Sequence, residues 1–286
     1  MPDYQICLIT GATSGIGKAT ARVFIQKGFD LIILVRDMHR GEKLKKELLS
    51  KTVRPDQFID LFKADLSSLE EVKGACEEIK KKYNKISLLI NNAGIFAPRR
   101  KITKDNLELT MEINHFSHFL LTLELLPLLE KNGSDTRIIN VSSVGHYKAK
   151  AFDLSNINFS ENYSGFGAYR ISKLANILFT YKLAEKLQER NSPITVNALH
   201  PGVVRTNIAR HFPIVGWLWR INPGYVSAEK GAQNTIYVAT DPQLVATTGK
   251  YFSKMKEKKS SEQSYNKDLQ NKFWDLSLEI TKTSWS

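Results

Sequence analysis

The stretch Ile6–Gly17, which reads ICLITGATSGIG, decides the fold of this chain. Its first four residues are apolar with no alternating polar partner, which is typical of a strand buried on both faces of a parallel sheet. Three glycines follow, and an apolar pattern with the period of a helix begins at Ile16. A strand, a glycine turn and a helix start in this order form a site that can receive a phosphate, because the backbone approaches a ligand closely and the first N–H groups of the helix are unpaired. The stretch therefore predicts a nucleotide-binding unit, although its glycine spacing differs from the G-x-G-x-x-G fingerprint.

The composition fits one large α/β domain. The chain has 286 residues, 42% of them hydrophobic, and no stretch has the composition of a linker. Cys7 and Cys76 lie in apolar or helical runs, so we expect buried thiols and neither disulfides nor a metal cluster. The segment Met1–Gln5 is too short for a signal peptide, and no apolar run reaches the ~18 residues that span a bilayer. These features predict a cytoplasmic protein.

The chain is basic, with a net charge of +12 at pH 7. A solvated, lysine-rich surface is the simplest explanation, and an anionic ligand or an anionic membrane surface comes second. Nucleic acid fits least, because the lysines are scattered over predicted helix faces and lack the interleaved aromatic residues of a stacking platform. We therefore expect no nucleic-acid partner, and peripheral contact with a membrane stays open.

Buried-strand patterns alternate with helical patterns along the rest of the chain. This alternation predicts an α/β fold with a doubly wound parallel sheet of about seven strands and helices on both faces. The predicted strands are 6–9, 29–35, 57–62, 86–90, 137–141, 194–199 and 249–252. Two helix starts carry capping sequences, Ser67–Glu70 and Asp105–Glu108, and Asp37 is expected to open the helix after the second strand.

The residue that ends the second predicted strand is Arg36. In dinucleotide-binding folds an acidic residue at this point hydrogen-bonds the ribose 2′-hydroxyl of NAD, whereas an arginine accommodates the 2′-phosphate of NADP. A surface charge that merely ends a strand is the alternative. Together with the glycine turn, Arg36 favours NADP(H) as the cofactor.

Two pairs of side chains lie on predicted helix faces. Tyr169 and Lys173 are four residues apart, which brings a phenol and an ammonium group to the same face. A nearby cation favours the phenolate and is expected to lower the tyrosine pKa, which suits a proton donor and acceptor. Taken alone, the pair could also be ordinary helix residues. His115 and His118 are three residues apart, but no third ligand is evident and we expect no metal site.

Seven motifs in a fixed order resemble the short-chain dehydrogenase/reductase family, from about Gln5 to Phe252. They are Thr10–Gly17, Asp65-Leu66, Asn91–Gly94, Asn114, Ser142-Ser143, Tyr169-x-x-x-Lys173 and Pro201–Thr206. Within the family, the sequence resembles the retinol-dehydrogenase-like branch most at Leu34–Asp37, Asn114–Thr122 and Ser172–Phe179. The resemblance implies a single-domain Rossmann-type fold over 1–286, with a C-terminal extension at about 254–286. The apolar segment at about 207–224 follows Thr206 and is expected to form a substrate lid, with a core helix as the alternative that Pro213 and Gly216 disfavour.

The resemblance also implies a role for each catalytic residue. Tyr169 would be the general acid for carbonyl reduction and the base for alcohol oxidation. Lys173 would bind the nicotinamide ribose and lower the pKa of Tyr169. Ser143 would hold the substrate oxygen, and Asn114 would support a proton relay through water.

The implied cofactor site spans most strand ends. Arg36 would bind the 2′-phosphate, Asp65 would face the adenine, Asn92 the adenosine ribose and Thr206 the nicotinamide amide. The full implied set is Gly11, Ser14, Gly15, Ile16, Gly17, Arg36, Asp65, Leu66, Asn92, Ala93, Gly94, Tyr169, Lys173, Pro201, Gly202, Val204 and Thr206.

These features predict an NADP(H)-dependent oxidoreductase that acts on a small lipophilic carbonyl or alcohol. Apolar and aromatic residues after Gly202 and in 152–166 favour a lipophilic substrate, and retinoids are one candidate. Trp217 and Trp219 in the lid could close over the substrate or enter a membrane interface. A non-catalytic NADP-binding sensor or scaffold is the alternative, and a homodimer stays open because the helices of Asn114 and Tyr169 form dimer faces in many relatives.

Overall fold

One sheet of eight strands forms the centre of the molecule in the computed structural model, which describes residues 4–149, 151–202 and 226–285. The strands are β1 (Ile6–Thr10), β2 (Asp30–Val35), β3 (Ile59–Lys63), β4 (Leu88–Asn91), β5 (Arg137–Val141), β6 (Thr195–His200), β7 (Lys250–Ser253) and β8 (Lys256–Lys258). Their order is β3-β2-β1-β4-β5-β6-β7-β8. The order reverses between β1 and β4, and the crevice at the carboxyl ends of these strands is where such sheets bind ligands.

Helices cover both faces of the sheet. They are α1 (Gly15–Gln26), α2 (Met38–Leu49), α3 (Leu69–Lys82), α4 (Leu109–Met111), α5 (Ser117–Asn132), α6 (Gly165–Glu189), α7 (Ala228–Thr240) and α8 (Lys267–Thr281). A π-helical turn, Glu112–Phe116, joins α4 to α5. In β1, Ile6 and Leu8 pack against α3, α5 and α6, while Cys7 and Ile9 pack against α1, α2 and α7. Burial on both faces explains the unbroken apolar run, since each such side chain stabilises the fold by about 1.5–3 kcal/mol.

The predicted fold class is confirmed, with one correction to the strand count. Neighbouring strands from β3 to β7 pair in parallel, and β8 pairs antiparallel with β7 at the edge of the sheet. The prediction of about seven strands missed β8 because its sequence, Lys-Glu-Lys, is fully exposed and carries no apolar pattern. Charged residues on an edge strand discourage pairing with another chain.

Both predicted capping sequences are shifted in the structure. Ser68 caps α3, accepting from the amide of Glu71 at 3.2 Å, so the cap lies one residue later than expected. The reciprocal bond of a capping box is replaced, since Glu71 Oε2 accepts from the amide of Asp65. Asp105 does not cap its own helix. Its carboxylate accepts from the amide of Leu69 at 2.8 Å, at the start of α3, and Glu108 caps α4 instead. The expectation that Asp37 opens α2 is confirmed by its bond from the amide of Arg40 at 3.1 Å.

The C-terminal residues pack on the helices that carry Asn114 and Tyr169. From α8, the Phe273 ring lies 4.6 Å from the His115 ring, and the Trp274 ring lies 5.2 Å from that of Phe119. The face of α5 and α6 considered for a homodimer is therefore covered in part by α8 of the same chain. Within the described ranges no helix is long and apolar enough to cross a membrane. The predicted lid at 207–224, with Val204 and Thr206, lies outside the described residues.

Candidate active site

The glycine turn between β1 and α1 is shaped by close backbone contacts. A Cβ atom at Gly17 would lie 2.4 Å from the carbonyl oxygen of Gly11 and 2.5 Å from Nδ2 of Asn92, so no larger residue fits there. Gly11 and Gly15 have positive φ angles of 69° and 55°. Because α1 has no acidic residue in its first turn, its positive end is suited to an anion. Gly11, Ser14, Gly15, Ile16 and Gly17 therefore lie together at the crevice, as the sequence predicted.

Gly17→Ala should damage both the turn and the cofactor site. The added methyl must displace backbone, so we expect the free energy of unfolding to fall by about 1–3 kcal/mol. The Kd for NADPH should rise about tenfold or more, which is ~1.4 kcal/mol of binding free energy. Urea titration and NADPH fluorescence measure the two effects. Gly74→Ala on the exposed face of α3 is the matched control, since nothing lies within 4 Å of its added Cβ. It should stabilise the protein by about 0.5–1 kcal/mol, and equal loss in both variants would contradict this reading of the turn.

Arg36 and Asp65 lie side by side beyond the ends of β2 and β3. Arg36 Nε is 3.9 Å from Asp65 Oδ2, and the Arg36 side chain is 71% exposed. An exposed pair at this distance contributes little to stability, so the guanidinium is free to turn to a phosphate. Leu66, the next residue, accepts a hydrogen bond from Ser117 at 2.6 Å through its carbonyl, which ties this edge to α5.

The turn after β4 binds the end of β1. The amides of Asn92 and Ala93 donate to Thr10 Oγ1 at 3.0 and 2.9 Å, and Asn92 Nδ2 donates to the Thr10 carbonyl at 2.7 Å. The Asn92 side chain therefore holds the glycine turn in place, a role that the sequence did not indicate. Its expected contact with the adenosine ribose stays a prediction.

Tyr169 and Lys173 on α6 lie beside the end of β5. Lys173 is buried, and its Nζ donates to the carbonyl oxygen of Val141 at 3.0 Å. Ser142 Oγ donates to the Lys173 carbonyl at 2.6 Å, which fixes the strand end against the helix. A Cβ atom placed on Gly145 would lie 3.4 Å from Ser143 Oγ and 3.6 Å from Cε1 of Tyr169, so the serine hydroxyl lies beside the phenol ring. The structure therefore brings the predicted serine, tyrosine and lysine together.

Asn114 joins this group from the π-helical turn. Its Oδ1 accepts from the amide of Ile95 at 2.7 Å, and its Nδ2 donates to the Ile95 carbonyl at 3.0 Å and to Ser172 Oγ at 2.9 Å. A Cβ atom placed on Gly94 would lie 3.2 Å from Lys173 Nζ and 3.4 Å from Asn114 Oδ1. Gly94, in the turn after β4, therefore lies next to two predicted catalytic residues.

The expected lowering of the Tyr169 pKa by Lys173 is not seen in this structure and stays a prediction. Burial raises the pKa of Tyr169 above its ordinary value, and the hydrogen bond from Ser143 only partly opposes this. Burial also lowers the pKa of Lys173 to about 8. The ammonium lies 5.8 Å from the centre of the phenol ring. At neutral pH the phenol is therefore protonated and able to donate a proton.

Two aromatic residues lie near Tyr169: Phe96, which the sequence analysis missed, and Phe166, which lies in the aromatic stretch 152–166 named there. The Phe96 ring lies 6.3 Å from the Tyr169 ring and 5.0 Å from the Phe166 ring, and Phe166 is 43% exposed. In the sequence, only the positions of these residues point to the site. Phe96 follows the Asn91–Gly94 turn closely, and Phe166 lies at the start of the helix of Tyr169. Pro201 and Gly202 follow β6 as expected, and Gly202 has a positive φ of 97°.

The two neighbouring histidines bond to protein groups in separate parts of the fold. His115 Nδ1 lies 3.3 Å from Asn176 Oδ1 and its Nε2 lies 3.3 Å from Ser277 Oγ, whereas His118 Nε2 lies 2.9 Å from Thr10 Oγ1. In the described part of the chain no group of His, Cys, Asp and Glu could hold a metal ion. Burial lowers the pKa of His115 to about 3 and that of His118 to about 4.

These two histidines should make the fold sensitive to acid. Both stay neutral when folded, while the unfolded chain takes up protons near its ordinary pKa of ~6.5. Stability should therefore be lost as pH falls from about 6.5 towards 4, by about 2 kcal/mol for each histidine at pH 5. Urea unfolding at pH 7 and pH 5 measures the loss. His115→Phe should remove its share of the pH dependence, and a pH dependence that is the same in this variant as in the wild type would contradict the prediction.

Comparisons with known proteins agree with this geometry. The model of the short chain dehydrogenase family matches residues 5–213. Retinol dehydrogenase 14 of Mus musculus is 36% identical over 94% of this chain and 84% of that protein. Polyprenol dehydrogenase of Homo sapiens is 33% identical over 98% of this chain and 86% of that protein.

A solved structure has the same architecture. An uncharacterized protein from Mycobacterium paratuberculosis superimposes with a TM-score of 0.80 at 30% identity, over 99% of this chain and 95% of that one. The fold, the meeting of the predicted motifs at one crevice and the similarity over nearly the whole length agree. The chain belongs to the short-chain dehydrogenase/reductase family of oxidoreductases, in its retinol-dehydrogenase-like branch.

Proposed function

We propose that the protein is an NADP(H)-dependent oxidoreductase that interconverts a lipophilic aldehyde or ketone and its alcohol. One observation supports this above the others. Ser143 Oγ and the Tyr169 ring border Gly145, and Lys173 Nζ and Asn114 Oδ1 border Gly94, at the edge of the sheet that carries the glycine turn. A proton donor beside a nucleotide site is what carbonyl reduction requires of the protein. The proposal takes residues 1–286 as a single catalytic domain.

The catalytic roles follow from the hydrogen-bonding capacity of each group. The nicotinamide cofactor supplies or accepts the hydride when it is bound. A substrate oxygen placed between Ser143 and Tyr169 would accept a hydrogen bond from each hydroxyl. The protonated phenol gives its proton to this oxygen in reduction and takes it back in oxidation. Lys173 uses one of its three N–H bonds on Val141, and the others are available to ribose hydroxyls.

The cofactor proposal rests on two parts of the crevice. The glycine turn leaves room for backbone to approach a pyrophosphate, since a side chain at Gly17 would overlap Gly11. Arg36 supplies a positive charge at the end of β2, where its fork of N–H groups suits a phosphate. This pair supports NADP(H) over NAD(H), with Asp65 and Leu66 on the adenine side.

The substrate class is proposed from the surface around Tyr169. Phe96 packs against Phe166 beside Tyr169, and Phe166 is 43% exposed. Val144, which follows Ser143 directly in the chain, is 41% exposed. Retinol and polyprenol, for which the two relatives are named, are both lipid alcohols. A lipophilic carbonyl or alcohol would cover these apolar side chains and exclude water from the hydride step. A retinoid is one candidate within this class.

The deciding experiment is a substrate panel with the purified protein. Aliphatic, aromatic and retinoid carbonyls are offered with NADPH and, in parallel, with NADH, and the loss of reduced cofactor is followed by absorbance. We expect turnover with the lipophilic carbonyls and a preference for NADPH. Tight NADPH binding without turnover of any carbonyl or alcohol would overturn the proposal in favour of a sensor or scaffold. Turnover of hydrophilic carbonyls alone would overturn the substrate class.

A further inference from the structure

The ring of His118 joins the glycine turn to the catalytic π-helical turn. Its Nε2 lies 2.9 Å from Thr10 Oγ1, at the end of β1, and its Nδ1 lies 3.2 Å from the carbonyl oxygen of Asn114. The ring is 2% exposed, so water does not compete for these bonds. Thr10 and His118 are 108 residues apart in sequence, and the contact is created by the fold.

The hydrogen-bond partners fix which ring nitrogen carries the proton. Thr10 Oγ1 accepts from the amides of Asn92 and Ala93, which are donors only. The hydroxyl proton of Thr10 is therefore available to His118 Nε2, which must accept it. The other nitrogen, Nδ1, faces the carbonyl oxygen of Asn114, which can only accept. His118 is thus neutral, with its proton on Nδ1.

These bonds close into a ring of contacts. Asn114 holds the backbone of Ile95 through two hydrogen bonds of 2.7 and 3.0 Å. Ile95 follows the turn Asn92–Gly94, in which the amides of Asn92 and Ala93 donate to Thr10 Oγ1. The ends of β1 and β4 and the π-helical turn are therefore connected in a loop, and Gly94 within it borders Lys173 Nζ. A shift at Thr10 would move Asn114 and the surroundings of Lys173 together.

We propose that His118 is a positioning residue which couples the glycine turn at Thr10 to Asn114 and Lys173, so that a bound cofactor and the proton-transfer groups keep one geometry. This inference rests on the proposed function. His118 is buried and acts through Thr10 and Asn114. A small displacement of reacting groups is costly to the rate, whereas the proposed phosphate contacts of the cofactor would involve other residues of the turn.

Kinetics of matched variants test the coupling. His118→Phe keeps the ring and removes both hydrogen bonds, and Thr10→Val removes the hydroxyl at nearly constant size. Each should lower kcat about tenfold, while the KM for the carbonyl and the Kd for NADPH change less than about threefold. Thr10→Val also removes the acceptor of the Asn92 and Ala93 amides, so the double variant should lose little more than Thr10→Val alone. Thr10→Ser, which keeps the hydroxyl, should restore kcat.

His115→Phe is the control for general damage. It changes a buried ring in the same π-helical turn, but its partners Asn176 and Ser277 lie away from the glycine turn. It should keep kcat within about twofold of wild type. An equal loss in His115→Phe, additive losses in the double variant, or no rescue by Thr10→Ser would each overturn the proposal in favour of a packing role.

A spectroscopic readout separates this inference from the proposed function. In protein labelled with ¹⁵N-histidine, the ring nitrogens of His118 should report the neutral form with its proton on Nδ1, without cofactor or substrate. Thr10→Val should change the Nε2 signal. An imidazolium or a proton on Nε2 at neutral pH would overturn the inference even if the enzyme is active. The expected tautomer in a protein that turns over no carbonyl or alcohol would support the structural link and refute the proposed function.

Discussion

Tyr169→Phe is expected to lower kcat for carbonyl reduction by about a thousandfold, the usual scale of a lost general acid. The variant removes the phenol proton, while the remaining ring keeps its place beside Phe96. NADPH binding should change by less than about threefold, because the glycine turn and Arg36 are untouched. Steady-state kinetics and NADPH fluorescence measure the two quantities on the same preparation.

Tyr163→Phe is the matched control for this prediction. Tyr163 precedes α6, and its hydroxyl donates to the carbonyl oxygen of Ala97 at 2.7 Å. Its loss should cost about 0.5–1.5 kcal/mol of stability and leave kcat near the wild-type value. A Tyr169→Phe enzyme with near wild-type kcat would refute the role of the phenol. Equal losses of kcat in both variants would assign the effect to disturbed packing.

The strands were predictable because a strand that is buried on both faces has an unbroken run of apolar residues in its sequence. In β1 and β2 every residue is buried, and each appears as an apolar run followed by a turn or a charge. The edge strand β8 carries no such mark, since its stability comes from pairing with β7 rather than from buried side chains. Local chemistry predicts which segments form strands, and only the fold decides which further segment pairs at an edge.

The candidate site was predictable where its residues lie on one element, as Tyr169 and Lys173 do on α6. Contacts between distant elements were not. Asp105 caps α3, 36 residues away, and Asn92 holds Thr10, 82 residues away. A short polar side chain has several compatible donors and acceptors, and spacing cannot choose among them. The direction of the Tyr169 pKa shift was missed for the same reason, because burial is set by the surrounding fold.

Arg36→Asp is expected to lower the preference for NADPH over NADH by about a hundredfold in the ratio of kcat/KM, which corresponds to ~3 kcal/mol. The carboxylate would repel the 2′-phosphate of NADPH and could accept a hydrogen bond from the ribose hydroxyl of NADH. Asp65, now 3.9 Å from Arg36 Nε, would add a second negative charge against the phosphate. Parallel kinetics with both cofactors measure the ratio directly.

The control separates a local contact from the overall charge of the protein. Lys43→Glu on the exposed face of α2 makes the same change in net charge as Arg36→Asp. It should shift the cofactor preference little, since exposed charges are screened beyond about 10 Å at moderate salt. Arg36→Lys should retain part of the preference, because an ammonium keeps the charge but lacks the planar fork of the guanidinium. Two results would show that the 2′-phosphate of NADPH is not bound at the end of β2. One is a wild-type enzyme that prefers NADH, and the other is an Arg36→Asp enzyme with an unchanged ratio of kcat/KM for the two cofactors.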